Sequence, residues 1–130
     1  MRVPFATMLA VACLTTAGCG GITDPSKNTT ENFSGTLAVG GSAVHQFSSD
    51  KGEISIKVSA LAPTSSAPVF LIWTQSASDG SCAGILQQQF AQLNVPAISG
   101  VVIEGRYCIV IQDAGTFTVP QTYTIAVSHP

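Results

Sequence analysis

The strongest constraint on the fold is a two-residue rhythm. In Glu53-Ile54-Ser55-Ile56-Lys57-Val58-Ser59, the apolar Ile54, Ile56 and Val58 alternate with Glu53, Ser55 and Lys57. Successive side chains of a strand point to opposite faces, so this segment has one buried and one wet side. The pattern recurs in Tyr123-Thr124-Ile125-Ala126-Val127-Ser128, and again where Tyr107, Ile109 and Ile111 interleave with Cys108, Val110 and Gln112. No stretch from Phe33 onward has a convincing 3.6-residue apolar period, so helix should be nearly absent. Half-wet strands build antiparallel sheets. Pro68-Val69-Phe70-Leu71-Ile72-Trp73 is apolar at successive positions, which predicts an inner strand covered on both faces, with Trp73 in the core.

Turn formers punctuate the strands at Gly40-Gly41, Ser49-Asp50-Lys51-Gly52, Ser78-Asp79-Gly80-Ser81 and Asp113-Ala114-Gly115, each a loop tip. Ala83 to Asn94 fits a strand or a short helix, and strand is the preferred reading. Seven or eight short strands at about ten-residue spacing predict an all-β protein, an antiparallel β-sandwich, with a closed barrel as the alternative.

The N-terminal region obeys different rules. Met1-Arg2 is a short cationic start, Val3 to Leu14 is apolar, and Thr15 to Gly18 are small residues running into Cys19. The apolar stretch is shorter than the roughly 20 residues a membrane-spanning helix needs. This resembles the leader of bacterial lipoproteins. The resemblance implies removal of residues 1–18 and acylation of Cys19 with chains such as palmitate, while Cys13 is a leader residue. More than one acyl chain is needed for stable attachment, at about 0.8 kcal/mol per buried CH₂. Gly20, rather than Asp, follows the cysteine, which favours the outer membrane where a cell has one. Ordinary secretion is the other reading of the same leader. Residues 19–31 then form a lipidated cysteine and tether with no apolar period, twelve flexible residues reaching roughly 20 Å. Residues 32–130 form a single domain.

Removing residues 1–18 from the 130 leaves 112, enough for one core. The remainder holds four basic and seven acidic residues, a net charge of −3, with no basic cluster of the kind nucleic acid requires. Charged residues are 9% of the chain against roughly 25% in an average soluble protein. Outside the cytoplasm Cys82 and Cys108 should form a disulfide, closing a span of 26 residues. No C-x-x-C pair suggests redox chemistry.

Four segments carry a family resemblance. Phe33-Ser34-Gly35-Thr36-Leu37, His45-Gln46-Phe47 leading to Gly52 through Val58, Gly105-Arg106-Tyr107-Cys108-Ile109-Val110-Ile111, and Tyr123 through Val127 look like the bacterial pre-peptidase C-terminal domains. The resemblance implies a small jelly-roll-like sandwich without catalysis of its own. Many such domains carry paired acids before the aromatic strand. Here Ser42-Ala43-Val44-His45 stands in that place, which removes the basis for calcium there.

Little in the sequence suggests chemistry. His45 and His129 fit no triad order or metal spacing, and both are read as solvent-exposed. No Gly-x-Ser-x-Gly elbow occurs. Asp50, Glu53, Asp79, Glu104 and Asp113 fall mostly at loop ends, where two or three could converge, but no Asp-x-Asp-x-Asp run appears. The sequence therefore predicts no catalytic residue, no metal and no cofactor. Trp73, Tyr107 and Tyr123 suit the core better than a sugar-stacking face. The preferred function is a non-catalytic, membrane-anchored binding or adhesion module meeting an envelope protein or a polysaccharide. A structural or accessory envelope subunit is the alternative, and a small hydrolase a distant third.

Overall fold

The computed structural model describes residues 27–130. Eight strands follow one another: β1 (Thr29–Leu37), β2 (Ser42–Ser49), β3 (Gly52–Ala62), β4 (Val69–Ser76), β5 (Cys82–Ala91), β6 (Ile98–Val102), β7 (Gly105–Asp113) and β8 (Gln121–His129). They form two four-stranded antiparallel sheets, ordered β1-β8-β3-β6 and β2-β7-β4-β5. Strand 1 pairs with 8, 2 with 7, 3 with 6 and 4 with 5, which is the order of a jelly roll. The alternating strands behave as their sequence requires. Ile54, Ile56 and Val58 of β3, with Tyr123, Ile125 and Val127 of β8, face Leu71, Trp73, Tyr107, Ile109 and Ile111 of the second sheet. Ala83 to Ala91 is strand, not helix.

Three details differ from the sequence reading. β1 begins at Thr29, inside the stretch read as tether, because a register with His129, Ser128 and Val127 holds Thr29 to Glu31 without any apolar alternation. Asn28 joins them, its side-chain amide donating to Glu53 O at 2.9 Å. β4 is indeed flanked by β7 and β5, but Phe70 and Ile72 on its outer face are only half-buried. A two-layer sandwich has nothing beyond the sheet to cover them. The histidines also depart from expectation: His129 is 4% exposed and His45 is half-buried. The Cys19 anchor, residues 1–18 and most of the tether lie outside the described residues.

The Cys82–Cys108 disulfide is formed, with Cα atoms 5.9 Å apart. It joins β5 to β7, which are not neighbours in the sheet, so it crosses over β4. The β4–β5 register shifts near Trp73 and Thr74, and Gly84 takes φ 77°, which brings the start of β5 over the sheet.

Candidate binding surface

Strand directions sort the loops into two ends. Connections 50–51, 77–81 and 103–104 share one end with the start of β1 and the end of β8. Connections 38–41, 63–68, 92–97 and 114–120 share the other. Among the described residues, Lys27, Glu31, Asp50, Lys51, Glu53, Asp79, Glu104 and Arg106 all lie at or next to the first end. Lys57 sits midway along β3. Among the described residues, Asp113 is the one charged residue at the second end, and it is 5% exposed.

The Asp113 carboxylate is fully engaged. Oδ2 accepts the Gly40 N–H at 2.8 Å, and Oδ1 accepts those of Gly115 (2.9 Å), Thr116 (3.1 Å) and Phe117 (3.2 Å). Burial alone would raise its pKa, but the four backbone donors outweigh burial and hold it below the ordinary carboxylate value. Gln121, also buried, accepts the Thr64 N–H on Oε1 at 2.9 Å. These two side chains tie three of the four connections to β7 and β8, so the second end is preorganised.

With Asp113 buried, the exposed surface of that end, among the described residues, is uncharged and apolar. Val39, Val95 and Val119 are exposed at three of its loops. On the adjoining outer face of the second sheet, register places Val44, Val110 and Ile72 in one row, and Gln112, Phe70 and Phe90 in the next. Phe90 is 64% exposed and its ring lies 4.1 Å from that of Phe70. Apolar exposure extends along β5 to Ile85 and Leu86, and Val101 and Ile103 are exposed at the charged end. The outer face of the first sheet is different, dressed with hydroxyls such as Ser34, Thr36, Thr122 and Thr124. Beside β5, a groove of about 420 Å³ opens between the sheets, lined by Val58, Leu61, Val69, Phe90, Leu93 and the 65–68 segment.

The acids do not converge as a group. Asp50 and Glu104 share a shallow depression with Arg106, of about 270 Å³, at the charged end. Asp79 instead stabilises its own turn, accepting from the Ser81 hydroxyl (2.6 Å) and backbone N–H (2.9 Å), and these bonds lower its pKa. Asp113 is at the opposite end, and Glu53 is on β3. Among the described residues no three His, Cys, Asp or Glu side chains cluster as metal ligands.

Each histidine is held by a partner distant in sequence. His129 Nε2 lies 2.8 Å from Glu31 Oε1, with Phe47 against the ring. His45 Nε2 lies 2.7 Å from the Tyr123 hydroxyl, and Phe33 stacks on its other side. Burial holds His45 below its usual pKa and pushes Tyr123 above its own. Trp73, Tyr107 and Tyr123 are core residues, as their alternation predicts.

The apolar outer face was not recognised from sequence, although the signal was present. Five successive apolar residues, Val69 to Trp73, in a strand of a two-layer fold must place about half of them outside.

No family model and no curated protein matches the chain, so the resemblance to pre-peptidase C-terminal domains gains no support from that side. Solved structures do match in fold. The mitogen derived from Yersinia pseudotuberculosis aligns with a TM-score of 0.53 at 12% identity, over 78% of this chain and 84% of that one. The periplasmic inhibitor of g-type lysozyme from Aeromonas hydrophila aligns with a TM-score of 0.52 at 13% identity, over 79% of this chain and 88% of that one. At such identities the likeness is one of fold alone: a small all-β sandwich.

Proposed function

We propose that this chain is an exported, non-catalytic module that binds another protein, carried on the bacterial envelope by acyl chains at Cys19. The observation that carries the reading is the segregation of charge. Ionisable side chains crowd the end where β1 enters, while the opposite end and the adjoining sheet face expose Val39, Val44, Phe90, Val95 and Val119. Uncharged, apolar, rigidly held surface is what a protein interface is built on. Asp113 and His45, which lie outside the charged end, serve the fold, Asp113 bonded to four backbone donors and His45 packed against Tyr123. Two proteins of the same fold, a lysozyme inhibitor and a mitogen, are consistent with a sandwich that works by contact. A disulfide between Cys82 and Cys108 suits an oxidising compartment.

The test is site-specific photo-crosslinking of the full chain in its own envelope. Crosslinkers at Val44, Val95 and Val119 should give the same discrete protein adduct, whereas those at Ser34 and Thr122 should give none. Adducts spread equally over both faces, or none from the apolar sites, would refute the reading. The anchor is tested apart: Cys19→Ala should release the protein from the membrane fraction, and unchanged association would overturn the acylation.

A second reading, an accessory subunit joined by strand pairing, draws on β5. It is a sheet-edge strand of ten residues with no Lys, no Pro and no charge.

A further inference from the structure

We propose that the groove beside β3 takes an extended, uncharged peptide segment of the protein partner, which adds to the edge of β3 and sets an apolar side chain between the sheets. This names the ligand chemistry of the module proposed above and rests on that reading.

Two independent observations meet at the groove. The first is a missing stretch of strand. β3 has eleven residues, and on one side β8 pairs with it as far as Ala62. On the other side β6 has five residues and pairs only with Gly52 to Ile56. Two backbone bonds from the β5–β6 connection continue the edge, Ala97 N–H to Ile56 O at 2.9 Å and Asn94 N–H to Val58 O at 2.7 Å. Beyond Val58, among the described residues, no strand pairs with this side of β3. Backbone amides and carbonyls require partners, and an open edge is a template for another strand. No charged residue protects Ser59 to Ala62, whose open stretch is bounded by a register shift against β8 at Ser59 and by Pro63, and Ala60 and Ala62 are small and exposed.

The second observation is the apolar volume directly beside that edge. The groove of about 420 Å³ has Leu61 and Val69 in its wall, with Phe90 and Leu93 at its rim, and no charged side chain lines it. A fatty chain would fill the volume but leave the β3 edge unpaired. An anionic ligand would find no cation in the lining. An extended peptide of about four residues, at roughly 3.3 Å per residue, satisfies both the edge and the cavity.

The experiment pans a displayed random-heptapeptide library on the immobilised full-length protein, then measures resynthesised peptides in solution. Selected sequences should be uncharged, with apolar residues at alternate positions, and should shift the backbone amide resonances of Leu61, Ala67, Phe90 and Leu93. N-methylation of the alternate amides that face β3 should weaken binding at least tenfold, while methylation of the other set should leave it unchanged. Because this alters the peptide and not the protein, folding is not at issue. Charged selections, no enrichment, shifts centred on Val44, or equal tolerance of both methylation patterns would overturn the proposal. The two readings separate in the crosslinking assay. If Leu93→Arg, folded by circular dichroism, still gives the Val44 and Val119 adducts, the groove is refuted and the module stands. Loss of all adducts from the unaltered protein would instead refute the module.

Discussion

Removing the disulfide as Cys82→Ala/Cys108→Ala should cost the domain about 3.5 kcal/mol. The bridge closes a 26-residue span, and the chain-entropy relation for a loop of that length gives this value at 25 °C. The double replacement is the appropriate perturbation because Cys108 is fully buried, and a single replacement would add an unpaired buried thiol. For a domain of about 100 residues the loss corresponds to a fall in Tm of roughly 14 °C. It is a large share of a total stability of about 5–15 kcal/mol. Urea unfolding followed by tryptophan fluorescence reads the change directly, since Trp73 on β4 is buried between the sheets. The location of the bridge adds a second expectation. β5 has only β4 as a sheet neighbour, and its irregular first half is tied down to β7 by the disulfide. Hydrogen exchange in the variant should therefore accelerate more at Ile85 to Gln89 than in central β8. A loss below about 1 kcal/mol, or uniform acceleration across both sheets, would refute the argument that the bridge acts through the chain entropy of this span and the security of β5.

Other perturbations test separate parts of the structure. Leu71→Ala, at a fully buried site on β4, should cost about 2–5 kcal/mol by denaturant titration. Gly35→Ala should cost about 1–3 kcal/mol, because the added Cβ would lie 2.7 Å from the Tyr123 hydroxyl and force it off His45. Asp113 has a depressed folded pKa, so its stabilisation is present above the unfolded value of 3.8 and lost as pH falls through the lower folded value. Asp113→Asn should be less stable at neutral pH and flatter in the acid range when midpoints are measured across pH. His45 is also depressed, by burial, so the unfolded chain binds its proton first as pH falls through 6.5 and stability declines below that point. His45→Gln should flatten the urea midpoint between pH 7 and pH 5, and an unchanged slope would refute the assignment.

The strands were legible wherever an alternating apolar set coincided with a single buried face, as in Ile54, Ile56 and Val58 or Tyr123, Ile125 and Val127. The disulfide was legible for another reason: with a cysteine assigned to the leader and one to the anchor, two remained. What escaped was decided by residues far apart in the chain. His129 stands between Ser128 and Pro130, neither of which announces that Glu31 and Phe47, more than 80 positions away, enclose it. From sequence Asp113 is only an acid at a loop end, because sequence cannot show four N–H groups from two loops converging on it. The apolar run at Phe70 to Trp73 revealed an inner strand but not how many layers would cover it. The candidate surface lay hidden in that difference.

The jelly-roll order has a consequence for how such a surface would be displayed. It brings the start of β1, the tips at 50–51 and 103–104, and the last residue, Pro130, to the same charged end. Among the described residues that end carries three basic side chains, Lys27, Lys51 and Arg106, against five acidic ones, so it is well hydrated and mildly repelled by anionic head groups. A chain held through the proposed anchor at Cys19 enters its domain there, and the apolar end then faces away from the lipid. The reverse polarity would place Val39, Val95 and Val119 against the bilayer, where burial of apolar surface competes with binding a protein. Segregating charge to the entry end would thus leave the apolar end available to the proposed partner, and orientation would then follow from sheet topology as much as from the proposed lipid.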